Sequence, residues 1–257
     1  MADEILSSVA DGITTLTLNR PERRNALNTA MLDELRRRFD ELERDARARV
    51  VVIRGAGTAF CSGRDLNEMS RRQHEPGEPE ADVIELFRQI EASSRPSIAM
   101  VHGAAYAGGC ELALHCDFRV AADVARFAMP LAKLGLVVPF PLGQKLVEVI
   151  GPAFTRQILL TGQPVDARRA YEMGMVHTVV PAADLERATY DLARTIAGNA
   201  PLSLAGMKAT IRRSAALRDR IEHADLDEGA RRARASADAR EGVRAMLEKR
   251  KPDFRGE

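Results

Sequence analysis

The chain has 257 residues, with 38 Lys and Arg against 37 Asp and Glu, and so a formal net charge of +1. That balance excludes a general polyanion binder, which needs an uncompensated basic surface. A content of 45% hydrophobic and 29% charged residues excludes the composition of a disordered chain and suits one large domain, or one domain with a smaller appendage. The acidic start Met1-Ala2-Asp3-Glu4 lacks the basic and apolar regions of a secretory signal. No apolar stretch is long enough to span a bilayer without a charge or glycine, and a cytoplasmic location is expected. Cys61, Cys110 and Cys116 are odd in number and lack C-x-x-C spacing, which favours reduced thiols over a disulfide framework or a zinc site.

Along the chain, Ile5 to Val9, an Asp11-Gly12 turn and Ile13, Leu16 and Leu18 read as a hairpin, since Asp-Gly supplies the positive φ angles of a tight two-residue turn. Asn28 is placed to cap a helix in which Leu32, Leu35, Phe39 and Leu42 recur every three or four residues. The apolar runs Val50 to Ile53 and Ile98 to Val101 read as buried strands that open into glycine-containing loops. Helical periodicity marks Val83 to Ile90, Leu142 to Val149, Phe154 to Ile158 and Leu185 to Ile196. Strands alternating with helices predict an α/β fold with a largely covered sheet. Ser70 to Ala81, rich in charge, Pro and Gly, is expected to be a surface loop, and residues 203–257 a tail of several helices. No internal repeat is visible.

Chemistry is sought first in glycine-rich loops. Gly55-Ala56-Gly57 follows a strand, but a third dinucleotide-binding glycine would fall at Phe60. Ser62 is flanked by Phe60 and Arg64 where a nucleophile elbow needs glycine. Gly108-Gly109 before the helical run Cys110 to His115 is more informative, because paired glycines let a backbone N–H at a helix N-terminus approach a ligand oxygen. Glu111 lies three residues into that turn. Ala59 to Met69 is a second strand-end loop entering a helix, with Gly63 at the bend. Two such loops aiming one N–H each at a common point would make an oxyanion hole. His102 is expected to bond locally and His115 and Cys116 to be packed. His74 and Lys133 read as surface charge. The Arg-rich segment from Arg231 to Arg250 alternates with Glu and Ala, as a solvated helical face does.

At these residues the sequence resembles the crotonase, or enoyl-CoA hydratase/isomerase, superfamily. The resemblance begins at Asn19 to Asn28 and passes through Phe60 to Met69, Gly108 to Glu111 with Cys116-Asp117, and Leu160 to Pro164. It continues through Ala170, Gly174 to Val176, Pro201 and Lys208, and closes at Glu248 to Phe254. The resemblance implies an α/β fold that is a crotonase-like spiral of ββα units over residues 1–200, then a C-terminal helical region over 201–257 that builds a homotrimer, often paired into a hexamer. It implies an acyl-CoA substrate, coenzyme A being part of that substrate, with no metal, redox cofactor, nucleic-acid partner or membrane partner. The thioester oxygen would be held by the backbone N–H groups of Arg64 and Gly108. Asn25, Ala26, Leu27, Arg64, Asp65 and Leu66 match segments that border the CoA moiety, and Lys249 matches a lysine that reaches CoA phosphate from a neighbouring subunit.

Glu111 matches the first of two catalytic glutamates of enoyl-CoA hydratases, which together supply acid and base. The second is expected directly after Phe127-Ala128-Met129-Pro130, where this chain has Leu131. Leucine can neither donate nor accept a proton, and residues 135–143 lack the glycine-rich loop common in hydratases, so a reshaped, more apolar acyl pocket is expected. The resulting reading is an acyl-CoA enzyme that stabilises an enolate, with water addition to a 2-enoyl-CoA first. The alternatives are isomerisation, decarboxylation, thioester hydrolysis, or acyl-CoA binding without catalysis.

Overall fold

A computed structural model describes residues 3–72, 81–215 and 221–256 of the chain. Asp11 and Gly12, at φ 52° and 75°, turn β1 (Ile5–Ala10) back on β2 (Ile13–Leu18) as an antiparallel hairpin. Asn28 caps α1 (Thr29–Arg44) by accepting the Met31 amide at 2.9 Å, and Met31, Leu32, Leu35, Phe39 and Leu42 are buried along one face. Then come β3 (Val50–Gly55), β4 (Ala59–Cys61), α2 (Leu66–Arg72), α3 (Ala81–Ala92), β5 (Ser97–Val101), β6 (Ala104–Tyr106), α4 (Gly108–His115), β7 (Phe118–Ala122) and β8 (Arg126–Ala128). They lead to α5 (Phe140–Thr161), β9 (Val165–Asp166), α6 (Ala167–Glu172), β10 (Thr178–Val180), α7 (Leu185–Ala197), α8 (Pro201–Ala215), α9 (Ala224–Ala235) and α10 (Ala237–Leu247).

The strands form two sheets. The larger, in order β1-β2-β3-β5-β7-β10, is parallel except for the opening hairpin, and the smaller, β4-β6-β8-β9, is parallel except for β8–β9. The apolar runs of β3 and β5 follow from burial on both faces. Val51, Ile53, Ala99 and Val101 face the main core with α1, α3 and α4, whereas Val50, Val52, Ile98 and Met100 face α7 through Leu185, Ala193 and Ile196.

A spiral emerges from this pairing. Each of β3, β5 and β7 passes to a three-residue strand of the small sheet and then to a helical segment: β4 to α2, β6 to α4, and β8 to the 3-10 turn Pro130–Leu134. Because β4, β6 and β8 are neighbours, the starts of the three helical segments sit side by side. Those starts carry Arg64, Gly108 and Leu131.

Ser70 to Arg72 belong to α2 and Ala81 opens α3, against the expected surface loop, and residues 73–80 with His74 lie outside the described residues. The two periodic segments between Leu142 and Ile158 are the two helical stretches of α5, which meet at a sharp kink where non-helical Gly151 at φ 69° precedes Pro152, whose ring nitrogen donates no hydrogen bond. The short strands of the small sheet escaped prediction because three residues cannot display an alternation.

After α7 the described elements are all helices. Lys208, 9% exposed, ties α8 to the core through Asp117 Oδ2 at 2.6 Å and the carbonyls of Ile90 and Arg95. α10 lies against the turn Pro130–Leu134, approaching so closely that a Cβ on Gly242 would stand 2.5 Å from the Leu134 carbonyl carbon. No helix among the described residues is long and apolar enough to cross a membrane.

Candidate active site

The site starts from a backbone arrangement. Leu27 forms a parallel bridge with Arg64, in which the Leu27 amide donates to Gly63 O at 2.7 Å and the Asp65 amide donates to Leu27 O at 2.9 Å. The peptide groups on either side of Arg64 are thus engaged, and the Arg64 N–H points to the opposite side. There it meets the start of α4. Ala107, held at φ 47° and ψ −120° with its amide bonded to Ala128 O, turns the chain sharply into the helix. The first helical bond runs from the Glu111 amide to Ala107 O, leaving the Gly108 N–H at the free N-terminus. A Cβ on Gly108 would lie 3.6 Å from the Arg64 nitrogen, so the two amides are neighbours, and the absence of that carbon leaves space in front of them.

Gly63 and Gly109 permit this closeness. Gly63 adopts φ 98°, and a Cβ there would be 2.9 Å from both Ala107 Cβ and Tyr106 O. A Cβ on Gly109 would be 2.2 Å from Cys61 O, so α4 packs backbone to backbone against β4. Both positions require glycine, one for conformation and one for approach.

One helical turn further, Glu111 is fully buried and neither carboxyl oxygen has a hydrogen-bond partner among the described residues. Burial raises its pKa well above the ordinary carboxylate range; the Lys145 charge opposes the shift and the Glu91 charge adds to it. Burial therefore favours the protonated form of the group. Leu131 is half-buried and packs with Leu66 and Met69 against Leu134, Leu136 and Ala239, so the third start presents a hydrocarbon surface to the site.

The sequence-predicted residues divide in two. The Arg64 and Gly108 amides lie together, Glu111 follows one turn along α4, and Leu66 and Leu131 share an apolar cluster, whereas Asn25, Leu27 and Asp65 fix the loop that carries Arg64. Asn25, fully buried at φ 55°, donates its side-chain amide to Ala56 O, Ala59 O and Phe60 O and accepts the Arg20 amide, which fixes the loop leading to Arg64. Asp65 caps α2 by accepting the amides of Asn67 and Glu68 and pairs with Arg20 at 3.1 Å. Ala26 is buried and gives its carbonyl to Arg20. The Arg64 guanidinium pairs with Asp82 of α3 at 3.2 Å. Lys249 is exposed just beyond α10, which abuts the turn of its own chain carrying Leu131. His102 bonds Gly57 O, and His115 bonds the Glu111 carbonyl.

Sequence reading did not anticipate Arg20, Asn25 and Asp65 as a clamp on the two loops. The asparagine at position 25 was the available signal, since asparagine tolerates the positive φ of 55° that it adopts there.

Because Arg64 offers the site its backbone and its side chain is engaged with Asp82, Arg64→Ala should retain most of the turnover even where ligand binding weakens. A fall of about 10²–10³-fold in kcat with unchanged binding, the size of losing an oxyanion donor, would place the guanidinium in the chemistry.

Two neighbouring backbone donors, with a buried carboxyl one helical turn further, are an arrangement that can stabilise an oxyanion or enolate. Residues 8–257 match the enoyl-CoA hydratase/isomerase family, and the chain belongs to it. It is 34% identical to 2,3-dehydroadipyl-CoA hydratase of Escherichia coli (strain K12), covering 98% of this chain and 99% of that one. It is 37% identical to 1,2-epoxyphenylacetyl-CoA isomerase of the same organism over the full length of both. Among solved structures, methylmalonyl-CoA decarboxylase in complex with 2-nitronate-propionyl-CoA superposes with a TM-score of 0.91 at 25% identity over the whole of both chains.

Proposed function

We propose that this protein hydrates a 2-enoyl-CoA, using Glu111 as the one proton-moving side chain among the described residues. The pairing of two free amide donors with a buried, unpartnered carboxyl supports this reading most directly. The thioester oxygen accepts from the Arg64 and Gly108 amides, which stabilise the enolate that forms as water attacks Cβ. Protonated Glu111 gives its O–H proton to Cα while its other oxygen takes a proton from the attacking water. The new bonds are Cβ–O and Cα–H, the carboxyl ends as it began, and one acid does the work divided elsewhere between two. Leu66, Met69 and Leu131 would line the acyl chain, and exposed Lys249 would meet a CoA phosphate. Framework residues Asn25, Ala26, Leu27 and Asp65 would border the CoA through the loops they fix.

Leu131 favours one second reading. Decarboxylation of a malonyl-type CoA needs the same enolate stabilisation and a single proton delivered to Cα, with no base for water, and the fold's likeness to methylmalonyl-CoA decarboxylase points the same way. Incubating the protein with enoyl-CoA, malonyl-type CoA and saturated acyl-CoA esters separates the readings by product mass. Gain of water supports hydration, loss of carbon dioxide replaces it with decarboxylation, free CoA replaces it with hydrolysis, and no change in any ester removes the enzymatic reading.

The assembly we propose is a cytoplasmic homotrimer, or a hexamer made of two, with the helices after residue 200 in its contacts. Light scattering should give at least three chain masses; a monomer across working concentrations would overturn it.

A further inference from the structure

The Arg64 amide owes its direction to a short parallel pairing. Ser62 donates its amide to Arg24 O at 3.0 Å, Leu27 donates to Gly63 O at 2.7 Å, and Asp65 donates to Leu27 O at 2.9 Å. These bonds join residues 24–27 to residues 62–65 through the isolated bridge Leu27–Arg64, which lies outside the strands of both sheets. A pairing this short lacks the neighbouring rungs that hold a sheet in register, so side chains decide how firmly it is fixed. One side chain spans it. Arg20 Nη1 donates at 2.6 Å to the carbonyl of Ala26, the residue before Leu27, and Arg20 Nη2 donates at 3.1 Å to Oδ2 of Asp65, the residue after Arg64. The two arms of one guanidinium thus grip both sides of the bridge. The ion pair is largely shielded from solvent, the Arg20 and Asp65 side chains being 14% and 11% exposed. Each end is itself anchored. The Arg20 amide donates to Asn25 Oδ1 at 3.0 Å, the Asn25 amide donates to Arg20 O at 2.9 Å, and Glu4 Oε1 lies 3.5 Å from Arg20 Nε. Asp65 Oδ1 accepts the Asn67 and Glu68 amides, so the same carboxylate joins the bridge to the start of α2.

We infer that Arg20 is a positioning residue whose forked guanidinium fixes the Leu27–Arg64 bridge, and with it the place of the Arg64 amide that receives the thioester oxygen. The inference rests on that amide being an oxyanion donor, as in the proposed reaction. An oxyanion donor works only where the developing charge appears, and a misplacement of about 1 Å costs about 10²-fold in rate. Arginine's planar fork holds two acceptors at a fixed spacing, whereas a lysine ammonium is a compact charge on a flexible stem. Lysine at position 20 would keep the charge beside Asp65 and lose the simultaneous hold on Ala26 O. Charge alone therefore does not replace Arg20, which acts on the site through the backbone.

The test reads the donors directly, from the infrared carbonyl band of butyryl-CoA, isotope-labelled at the thioester carbon and bound to the full-length protein. Donation by the two amides lowers this band below that of the free ester. Arg20→Lys should return the band toward the free ester and lower turnover by about 10²-fold, while the Kd of butyryl-CoA changes far less. Asp65→Asn keeps an oxygen for the α2 amides and sets an NH₂ group against Arg20, so it should move the band the same way. The double variant should move it no further than the larger single change, because both substitutions break one contact. A general loosening of the fold would instead make the two shifts add. A band that stays low in Arg20→Lys, or shifts that add in the double variant, overturns the inference. If Arg20→Lys fails to fold, Asp65→Asn decides it, and a band as low as in the unmodified protein overturns the inference. A band that is not lowered even in the unmodified protein removes the oxyanion reading and this inference with it, whereas a lowered band that Arg20→Lys leaves in place defeats this inference alone.

Discussion

Glu111→Gln should lower hydration turnover by about 10²–10⁴-fold, the contribution general acid–base catalysis makes. The amide has the shape of the carboxyl it replaces but cannot release a proton to Cα or accept one from water. Folding should be retained, because the exchange removes an ionisable group from a site where neither oxygen has a partner. Binding of a saturated acyl-CoA should change little, as the amides of Arg64 and Gly108 are untouched. Stopped-flow turnover and calorimetric binding measured together check this, and turnover within a few-fold of the unmodified protein would remove Glu111 from the chemistry. The sign of the pH dependence follows from the same group. The protonated form reacts and burial raises the pKa, so the rate should decline as pH rises through the raised value.

The second large effect is expected at Gly63→Ala. A methyl there would press at 2.9 Å on Ala107 Cβ and Tyr106 O, and at 3.2 Å on the Gly108 nitrogen, at a φ of 98° that alanine resists. Strain of this kind costs about 1–3 kcal/mol. Relief by parting the two loops would pull the amide donors off their common point and cost about 10²–10³-fold in turnover. A lowered melting temperature with unchanged kcat would show that the donors do not depend on this contact. Arg64→Ala provides the contrast, since it alters the side chain and leaves the backbone path in place.

Much of this was legible where a local rule applied. The Asp11-Gly12 hairpin, the Asn28 cap and the apolar runs of β3 and β5 each follow from a single stretch of chain. Gly108-Gly109 and Glu111 were legible for the same reason, since donor and acid lie in one helical turn, and Gly63 marked the second loop. Three features were hidden. The spiral was expected from the family resemblance but invisible to a search for repeats, because Arg64, Gly108 and Leu131 occupy equivalent positions with unlike side chains. Asn25 was expected to border the CoA, and its side-chain amide donates to three carbonyls between residues 56 and 60, a contact made by folding rather than spacing. Lys145 and Glu91 are distant in sequence and meet only because α3 and α5 flank α4.

The three cysteines are all buried. Cys61 is fully enclosed, with its thiol pushed up by burial to about 12, and Cys116, 3% exposed, is raised to about 12 as well. Alkylating reagents attack the thiolate, so the native molecule offers them almost none. Labelling must then wait for opening events that expose these sulfurs to solvent. Cys61 lies in β4 against Gly109, and Cys110 and Cys116 flank Glu111 along the chain. The rate of their modification therefore clocks how often the walls of the reaction chamber part, a built-in gauge of breathing that needs no added probe.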